Sequence, residues 1–455
     1  MTKHTPDLFK NRSTTQEFLF SHSDDIIDHG DSQEVSAGKD DATSAPLGTL
    51  FPDMLDRQGL ARAIATHMAS AATLVAMAVR IEWPAAKRSD DGKETDIAQD
   101  TLTPIATFCR AHDGTWARIG RARIACVFPH LSETDGQVLA QGLLNAFSDA
   151  RLSPVNIGLA AYPSTNYARS QIVKNAEKAL EHADFFGPGT ITGFDAVSLN
   201  ISGDRHYQAG DVTGAIDEYK RGLLLDPVDV NLHNSLGVCY GVLKDYDNAL
   251  TAFENAIWLA PEEIMAIYNK GYILLLKGRR EQALECFLAA DTREPNVFEV
   301  IFHIGQTFMK MGATEKARPY LEEATHTNSR SGPAFKSLGA CLNELGLTKE
   351  AIQAYKHAVK INPVDAESLS TLGRLYVHRE ESPDVAAVLC KQSVRLSPDN
   401  GLFRHRLGHA YLHQGKLDRA LAEFERAEGL GHDSQAQIDA TQSRMMAAKA
   451  SRETA

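Results

Sequence analysis

Small and apolar residues recur at a fixed interval through the second half of the chain. From residue 203 onward a glycine returns every 34 positions, and once after 35. The first five of these glycines are each followed twelve residues later by an alanine, and in most repeats a ring comes four residues after it. The glycines are Gly203, Gly237, Gly271, Gly305, Gly339, Gly373 and Gly408. A period of this length is typical of a repeated pair of helices, so it predicts seven helical hairpins over residues 197–432.

The same residues predict how each hairpin packs. Small side chains in both helices allow them to cross closely, and a ring such as Tyr219 is expected to fill the gap toward the next repeat. A proline such as Pro227 ends the second helix. Repeat two carries the fullest set of these residues: Leu236, Gly237, Tyr240, Ala249, Phe253, Ala256 and Pro261. This pattern resembles the tetratricopeptide repeat (TPR), which implies an all-α solenoid.

The resemblance also implies a groove lined by the first helix of each repeat. The family's groove positions are the second, fifth, ninth, twelfth and thirteenth of each unit. They give as candidate peptide-binding residues Asn234, Tyr268, Tyr272, Phe302, Gln306, Lys310, Lys336, Asn343, Arg374, His405, His409 and His413. The middle of this set is aromatic and its C-terminal half is cationic or titratable, so we expect a protein or peptide partner with an apolar anchor and an acidic flank. The alternative is that some rings pack against neighbouring repeats.

Two narrower binding modes are disfavoured. The family's clamp for a chaperone C-terminus needs an asparagine where repeat five, which has Lys336, carries Ala340. The three histidines at 405, 409 and 413 share a helix face, and such spacing can bind zinc, but no cysteine or carboxylate completes a closed site. We expect a pH-sensitive groove wall there, with no metal and no cofactor.

Residues 48–196 alternate between helical and strand patterns. The apolar run at 73–81 predicts a buried strand. Further strands are expected at 116–119, 124–128, 155–161 and 190–194, and helices at 60–72, 96–111, 133–150 and 168–185. This order approximates βαββαβ with a late helix and strand, which predicts one α+β sandwich.

Four segments of this block resemble the diguanylate cyclase (GGDEF) family. They are Asp56-Arg57, residues 118–124 (RIGRARI), residues 157–163 (IGLAAYP) and residues 176–180 (AEKAL). The resemblance implies a nucleotidyl-cyclase-like α+β sandwich.

The family's metal-binding carboxylates are missing from this chain. Arg80 and Arg123 stand in their places, Ala122 replaces the hairpin aspartate, and Asp184 stands where the resemblance implies a lysine. Glu82 has no partner carboxylate with which to share a metal. Since condensing two nucleoside triphosphates needs carboxylate-bound metal ions, we expect a degenerate, catalytically inactive domain and no enzyme activity.

A nucleotide could still bind without turnover. Arg110 and Asp113 have the RxxD form of the family's product-inhibition site, one residue further from the hairpin than the family's spacing. Arg121 and Arg123 could contact a phosphate group. The alternatives are a solvated Arg–Asp pair and exposed structural arginines.

Composition narrows the class further. The 455 residues carry a net charge of −12, which disfavours a nucleic-acid partner. The six scattered cysteines predict reduced thiols in a cytoplasmic protein. No apolar stretch is long enough to span a membrane. Residues 1–47 are acidic and poor in apolar residues, which predicts disorder, and residues 433–455 predict a capping helix with a frayed end.

Together these patterns predict a non-catalytic interaction scaffold or adaptor. The TPR groove would bind a partner peptide, and the inactive cyclase-like domain would dock, dimerise or sense in signalling. The alternative is a cyclic di-GMP or GTP receptor whose degenerate domain regulates the repeats.

Overall fold

The apolar run after residue 73 forms the central strand of a six-stranded sheet in the computed structural model, which describes residues 49–81, 91–164 and 167–453. The predicted acidic tail, 1–47, and Glu82 lie outside the described residues. The elements of this part of the chain are β1 (Leu55–Asp56), α1 (Arg57–Thr66), β2 (Leu74–Arg80), α2 (Asp91–Ala111), β3 (Thr115–Gly120), β4 (Arg123–Pro129), α3 (Glu133–Asp149), β5 (Asn156–Tyr162), α4 (Ile172–Ala183) and β6 (Ile191–Gly193). The predicted α+β arrangement is confirmed.

The sheet has the strand order β1-β3-β4-β2-β5-β6, with β2 antiparallel to both β4 and β5. Its four long strands and their two crossover helices follow the split βαβ topology. Side chains alternate along β2: Val75, Met77 and Val79 join one buried cluster, whereas Leu74 and Ala76 join the cluster on the other face. The sheet is therefore covered on both sides.

Local chemistry shifts two element boundaries from the predicted ones. Asp56 caps α1 by accepting a hydrogen bond from the backbone N–H of Gly59 (2.6 Å), so the helix begins at Arg57 rather than at residue 60. The late helix begins with a short 3₁₀ turn, Arg169–Gln171, before α4. The strand β1, only two residues long, was not predicted.

One glycine permits the close approach of α4 to the sheet. A Cβ atom on Gly158 would overlap the backbone of Ala176 and Leu180 on α4. Helix and strand can therefore pack at this distance only because position 158 lacks a side chain.

Seven helical hairpins follow, as predicted. They are α5 (Ala196–Gln208) and α6 (Val212–Leu225), α7 (Val230–Val242) and α8 (Tyr246–Leu259), α9 (Ile264–Leu276) and α10 (Arg280–Arg293), α11 (Phe298–Lys310) and α12 (Thr314–Thr327), α13 (Gly332–Glu344) and α14 (Thr348–Ile361), α15 (Ala366–His378) and α16 (Pro383–Leu396), and α17 (Gly401–His413) and α18 (Leu417–Gly429). A last helix, α19 (Gln435–Glu453), packs on α18 through Ile438.

The recurring spacing between the glycine and the ring of a repeat has a direct packing cause. In the first hairpin the ring of Tyr219 lies over Gly203, where a Cβ would overlap it. The same ring joins Leu232 and Leu236 of the following repeat in one buried cluster. The ring therefore fills the gap toward the next repeat, as expected, and the glycine of its own hairpin makes room for it.

The described residues up to Asn269 form one compact unit, and those from Lys270 onward form another. Within the first unit, α4 of the α+β region packs against α5 and α6, and Lys178 forms a buried ion pair with Glu218. The predicted domain limits at residues 196 and 432 stay predictions.

Candidate functional site

Polar side chains connect the first helices of consecutive repeats within residues 298–413. Gln306 Nε2 donates to Ser337 Oγ (3.3 Å), and Arg374 Nη2 donates to Asn343 Oδ1 (3.4 Å). We call the set formed by these four residues and by Arg406, Ser370 and Thr371 the polar ladder. Its members lie on α11, α13, α15 and α17 and are buried or half-buried.

The last step of the ladder is made by an arginine that the predicted set did not contain. Arg406 Nη1 donates to Ser370 Oγ and to Thr371 Oγ1, at 3.2 Å each. The first compact unit repeats the arrangement, because Asn269 Nδ2 donates to Asn234 Oδ1 at 3.1 Å. The predicted groove residue Asn234 is buried in this contact.

Lys336 lies beside the ladder in an ion-pair network. Its ammonium contacts Glu367 Oε2 at 2.6 Å and Asp365 Oδ2 at 3.4 Å. Burial disfavours its charge, but the two carboxylates outweigh this effect and raise the pKa of Lys336. The lysine therefore stays protonated and holds both acids.

The predicted aromatic anchors do not line an open surface. Tyr268 and Phe302 are fully buried. Tyr272 is half-buried, with its ring edge-on to His303 at a centroid distance of 5.3 Å. These rings follow the alternative of packing within the repeats, and we leave them out of the proposed groove. Lys310 is exposed at the end of α11.

Two of the three histidines of the last repeat, His405 and His409, contact each other, and His405 also contacts the residues that lead into α19. His405 and His409 approach Nε2 to Nε2 at 3.1 Å, and His405 Nδ1 lies 2.8 Å from Ser434 Oγ. Burial lowers the pKa of His405 to about 4, so both its neighbours and its burial favour the neutral ring. His413 is half-buried. Within the described ranges, no group of three or more His, Cys, Asp or Glu side chains has the geometry to hold a metal ion.

The residues predicted for nucleotide binding are engaged separately. Arg110 forms two hydrogen bonds with Asp53, at 2.8 and 2.6 Å, rather than pairing with Asp113. The bond from Arg110 lowers the pKa of Asp53. Arg121 and Asp113 are exposed in their turns.

Arg123 contacts acids of α4, in a cluster at one end of the sheet. It lies 3.9 Å from Glu177 Oε1 and 3.7 Å from Glu181 Oε1. Arg57 also binds Glu177, at 2.7 and 3.0 Å, and Arg205 binds Glu181. The arginine is thus neutralised by the protein itself.

The helical hairpins match models of a known repeat family. A family model described as TPR repeat matches residues 203–241, and models described as tetratricopeptide repeat match 266–297, 303–366 and 377–445. The chain contains tetratricopeptide repeats.

Curated relatives with these repeats include proteins of different kinds. BBSome complex member BBS4 of Bos taurus is 26% identical over 205 residues, which are 45% of this chain and 39% of the relative. Hsp70-Hsp90 organizing protein 1 of Glycine max is 24% identical over 243 residues, 51% of this chain and 41% of the relative. Human aspartyl/asparaginyl beta-hydroxylase is 26% identical over 127 residues, 27% of this chain and 17% of the relative. The match spans less than half the length of each of these relatives.

Two solved structures are similar to part of this chain at low sequence identity. YrrB, described as a TPR protein with an unusual peptide-binding site, is 20% identical with a TM-score of 0.37, covering 41% of this chain and 96% of YrrB. PilF of Pseudomonas aeruginosa is 22% identical with a TM-score of 0.43, covering 46% of this chain and 95% of its own. None of the helices in the described part of the chain is both long enough and apolar enough to cross a membrane.

Three of the four ladder residues missed from the sequence share one register in the TPR unit. Ser337, Thr371 and Arg406 occupy the sixth position of their repeats, as do the polar residues Ser235, Asn269 and His303 of earlier repeats, whereas Ser370 lies at the fifth. A polar residue at a largely buried position, returning with the repeat, was a signal that could have identified the ladder.

Proposed function

We propose that this protein is a non-catalytic scaffold or adaptor whose TPR array binds a segment of a partner protein. The polar ladder carries the proposal. Gln306, Asn343 and Arg374 are half-buried on successive first helices, so each can contact a ligand while its neighbours hold it in place. Such a row suits a partner segment that lies across several repeats. The cations Lys310 and Arg374 favour a segment with an acidic flank.

We also propose that the α+β region is a degenerate cyclase-like domain without catalysis. The observation that favours this is the pair formed by Arg80 and Asp184, whose Nη2 and Oδ2 atoms lie 2.6 Å apart. The resemblance implies an acid at the first position and a lysine at the second, so the pair is kept with its charges exchanged. An arginine here repels a divalent cation instead of binding it. The domain would then dock, dimerise or sense rather than turn over substrate.

No described contact favours the nucleotide receptor over the scaffold. Arg110 is held by Asp53, and Arg123 lies against Glu177 and Glu181. A cytoplasmic location is part of the proposal, supported by the six cysteines, all of which are free thiols.

The test is affinity capture with the full chain, because the buried Lys178–Glu218 pair makes a cut at residue 197 hazardous. Gln306→Ala combined with Asn343→Ala should lose specific partners, whereas Gln353→Ala, on the exposed side of α14, should keep them. Circular dichroism must give the same helicity for all three proteins. If the ladder variant retains every partner, the ladder is not the binding surface.

A second measurement addresses the alternative. Titration calorimetry of the full chain with cyclic di-GMP and with GTP should give no binding heat, and GTP with magnesium should give no product. Saturable heat that Arg110→Ala abolishes would favour the receptor instead.

A further inference from the structure

Two guanidinium groups of the second unit lie near each other without a carboxylate partner. Arg374 and Arg406 bond only to neutral oxygens, those of Asn343, Ser370 and Thr371. Neither forms an ion pair with any residue of the described ranges. The Nε atom of Arg406 is buried and has no acceptor among the described residues. Burial, and then the charge of Arg374, lower the pKa of Arg406.

The acids whose charges act on Arg406 and the neighbouring Tyr355 are already occupied. Asp365 and Glu367 both bind Lys336, and Asp365 also accepts from Ser368 at the start of α15. Both acids act on Tyr355, which together with Arg374, Arg406 and Asn343 forms what we call the pocket, but each acid is in contact with the lysine. Counting Lys336, Arg374 and Arg406 against Asp365 and Glu367 leaves one positive charge.

An unneutralised, half-buried guanidinium is unfavourable unless something else supplies the counter-charge. The pocket also offers neutral donors. The amide nitrogen of Asn343 makes no hydrogen bond to a described residue. Burial raises the pKa of Tyr355 to about 12, so its hydroxyl, in the field of both arginines, stays protonated. These groups match an oxyanion with several lone pairs.

We propose that Arg374, Arg406 and Asn343 bind a side-chain carboxylate of the partner segment. This inference rests on the proposed function and specifies the chemistry of its ligand. A carboxylate carries one negative charge and so balances the single excess positive charge of the pocket. A doubly charged phosphate would exceed it and would be repelled by Glu367, which is 64% exposed at the pocket. An acidic peptide is therefore favoured over a phosphorylated one.

The experiment uses fluorescence anisotropy with the full chain. The probes are fluorescein-labelled tetraglutamate and tetraglutamine peptides with the same glycine flanks. The glutamate probe should bind about tenfold or more tightly than the glutamine probe. Arg406→Gln and Arg374→Gln should each weaken its binding by about tenfold or more. Arg395→Gln removes one charge from the exposed surface of α16 and should change affinity by less than about twofold.

The thermal unfolding midpoint of each variant shows whether a loss of binding is caused by a loss of folding. Because the two arginines repel each other, removing either should leave the unfolding midpoint unchanged or raise it. If Arg406→Gln instead unfolds the repeats, Arg374→Gln and Asn343→Ala decide between a ligand site and a structural contact. Weaker glutamate binding in those folded variants supports the proposal.

Three results would overturn it. The glutamate probe could fail to bind at millimolar concentration, the arginine variants could bind it as the Arg395→Gln control does, or inorganic phosphate could displace it far better than glutarate does. If partners captured by the full chain are lost in the ladder variant but kept in Arg406→Gln, the proposed function stands and this inference fails.

Discussion

The buried ion pair of Lys178 and Glu218 tests how the first compact unit is held together. It joins α4 of the α+β region to α6 of the first TPR hairpin, and each side chain is only 6% exposed. Burial lowers the pKa of Lys178, although its bond to Glu218 opposes that effect. Removing one member of a buried pair leaves the other charge uncompensated, which costs about 3–5 kcal/mol. We expect Glu218→Gln to lower the free energy of unfolding of this unit by about 3 kcal/mol.

The double variant separates the pair from its parts. Lys178→Met with Glu218→Leu removes both charges and keeps the volume, so its stability should lie within about 1 kcal/mol of the natural chain or above it. Lys174→Gln, on the exposed side of the same helix, is the charge control and should change stability by less than about 0.5 kcal/mol.

The distribution of tryptophan makes the assay specific. All three tryptophans, at positions 83, 116 and 258, precede Lys270. Tryptophan fluorescence during guanidinium denaturation of the full chain therefore reports the first unit and not the second.

The stability lost in Glu218→Gln should depend on pH in a defined direction. In Glu218→Gln the folded state disfavours the charge on Lys178, so its folded pKa falls further below the unfolded value of 10.5. Between these two values the unfolded chain binds more protons, and stability rises with pH. The deficit of the variant should thus shrink as the solution becomes alkaline. A loss below about 1 kcal/mol for Glu218→Gln, or a double variant as unstable as the single one, would refute this account.

Three further predictions use the same logic. Gly158→Ala should lower the free energy of unfolding by more than about 2 kcal/mol, because the added Cβ overlaps the backbone of α4. Gly120→Ala is the control and should be tolerated, because a Cβ there meets only an ordinary contact at 3.6 Å; tryptophan fluorescence during denaturation measures both variants. Phe253→Ala, which empties a fully buried ring position, should cost about 3–5 kcal/mol, and Phe186→Ala, at a ring 56% exposed, less than about 0.5 kcal/mol. Burial lowers the pKa of His303 to about 4, below the unfolded value of 6.5, so the folded state should lose stability as the pH falls from 6.5 toward 4. The thermal unfolding midpoint of His303→Gln, followed by circular dichroism, should depend less on pH over this range.

The repeat was predictable because its chemistry is local and returns with a fixed period. A glycine that receives a ring sixteen residues later appears in most repeats, and this spacing alone places two helices against each other. The α+β strands were predictable for a similar reason, since an apolar run such as Leu74–Arg80 has few alternatives to burial. Boundaries failed where one side chain decides them, as Asp56 does for α1.

The binding surface was harder to predict, because residue type does not report which way a side chain packs. Tyr268 and Phe302 occupy groove positions of the motif, yet both rings are buried. Arg110 and Asp113 have the spacing of a pair, but Asp53, distant in sequence, binds the arginine. In each case the partner comes from another element, so only the assembled fold reveals it.

Several cations of the described residues have a carboxylate partner within the protein. Lys178 contacts Glu218, Arg80 contacts Asp184 at 2.6 Å, and Arg404 contacts Glu423 at 3.0 Å. Arg406 is shielded to a similar degree and has none. An unpaired guanidinium destabilises the fold that contains it, and in the proposed complex the partner's carboxylate would supply the missing counter-charge. Arg406 also belongs to the polar ladder, so the proposed carboxylate site and the proposed partner groove share this residue.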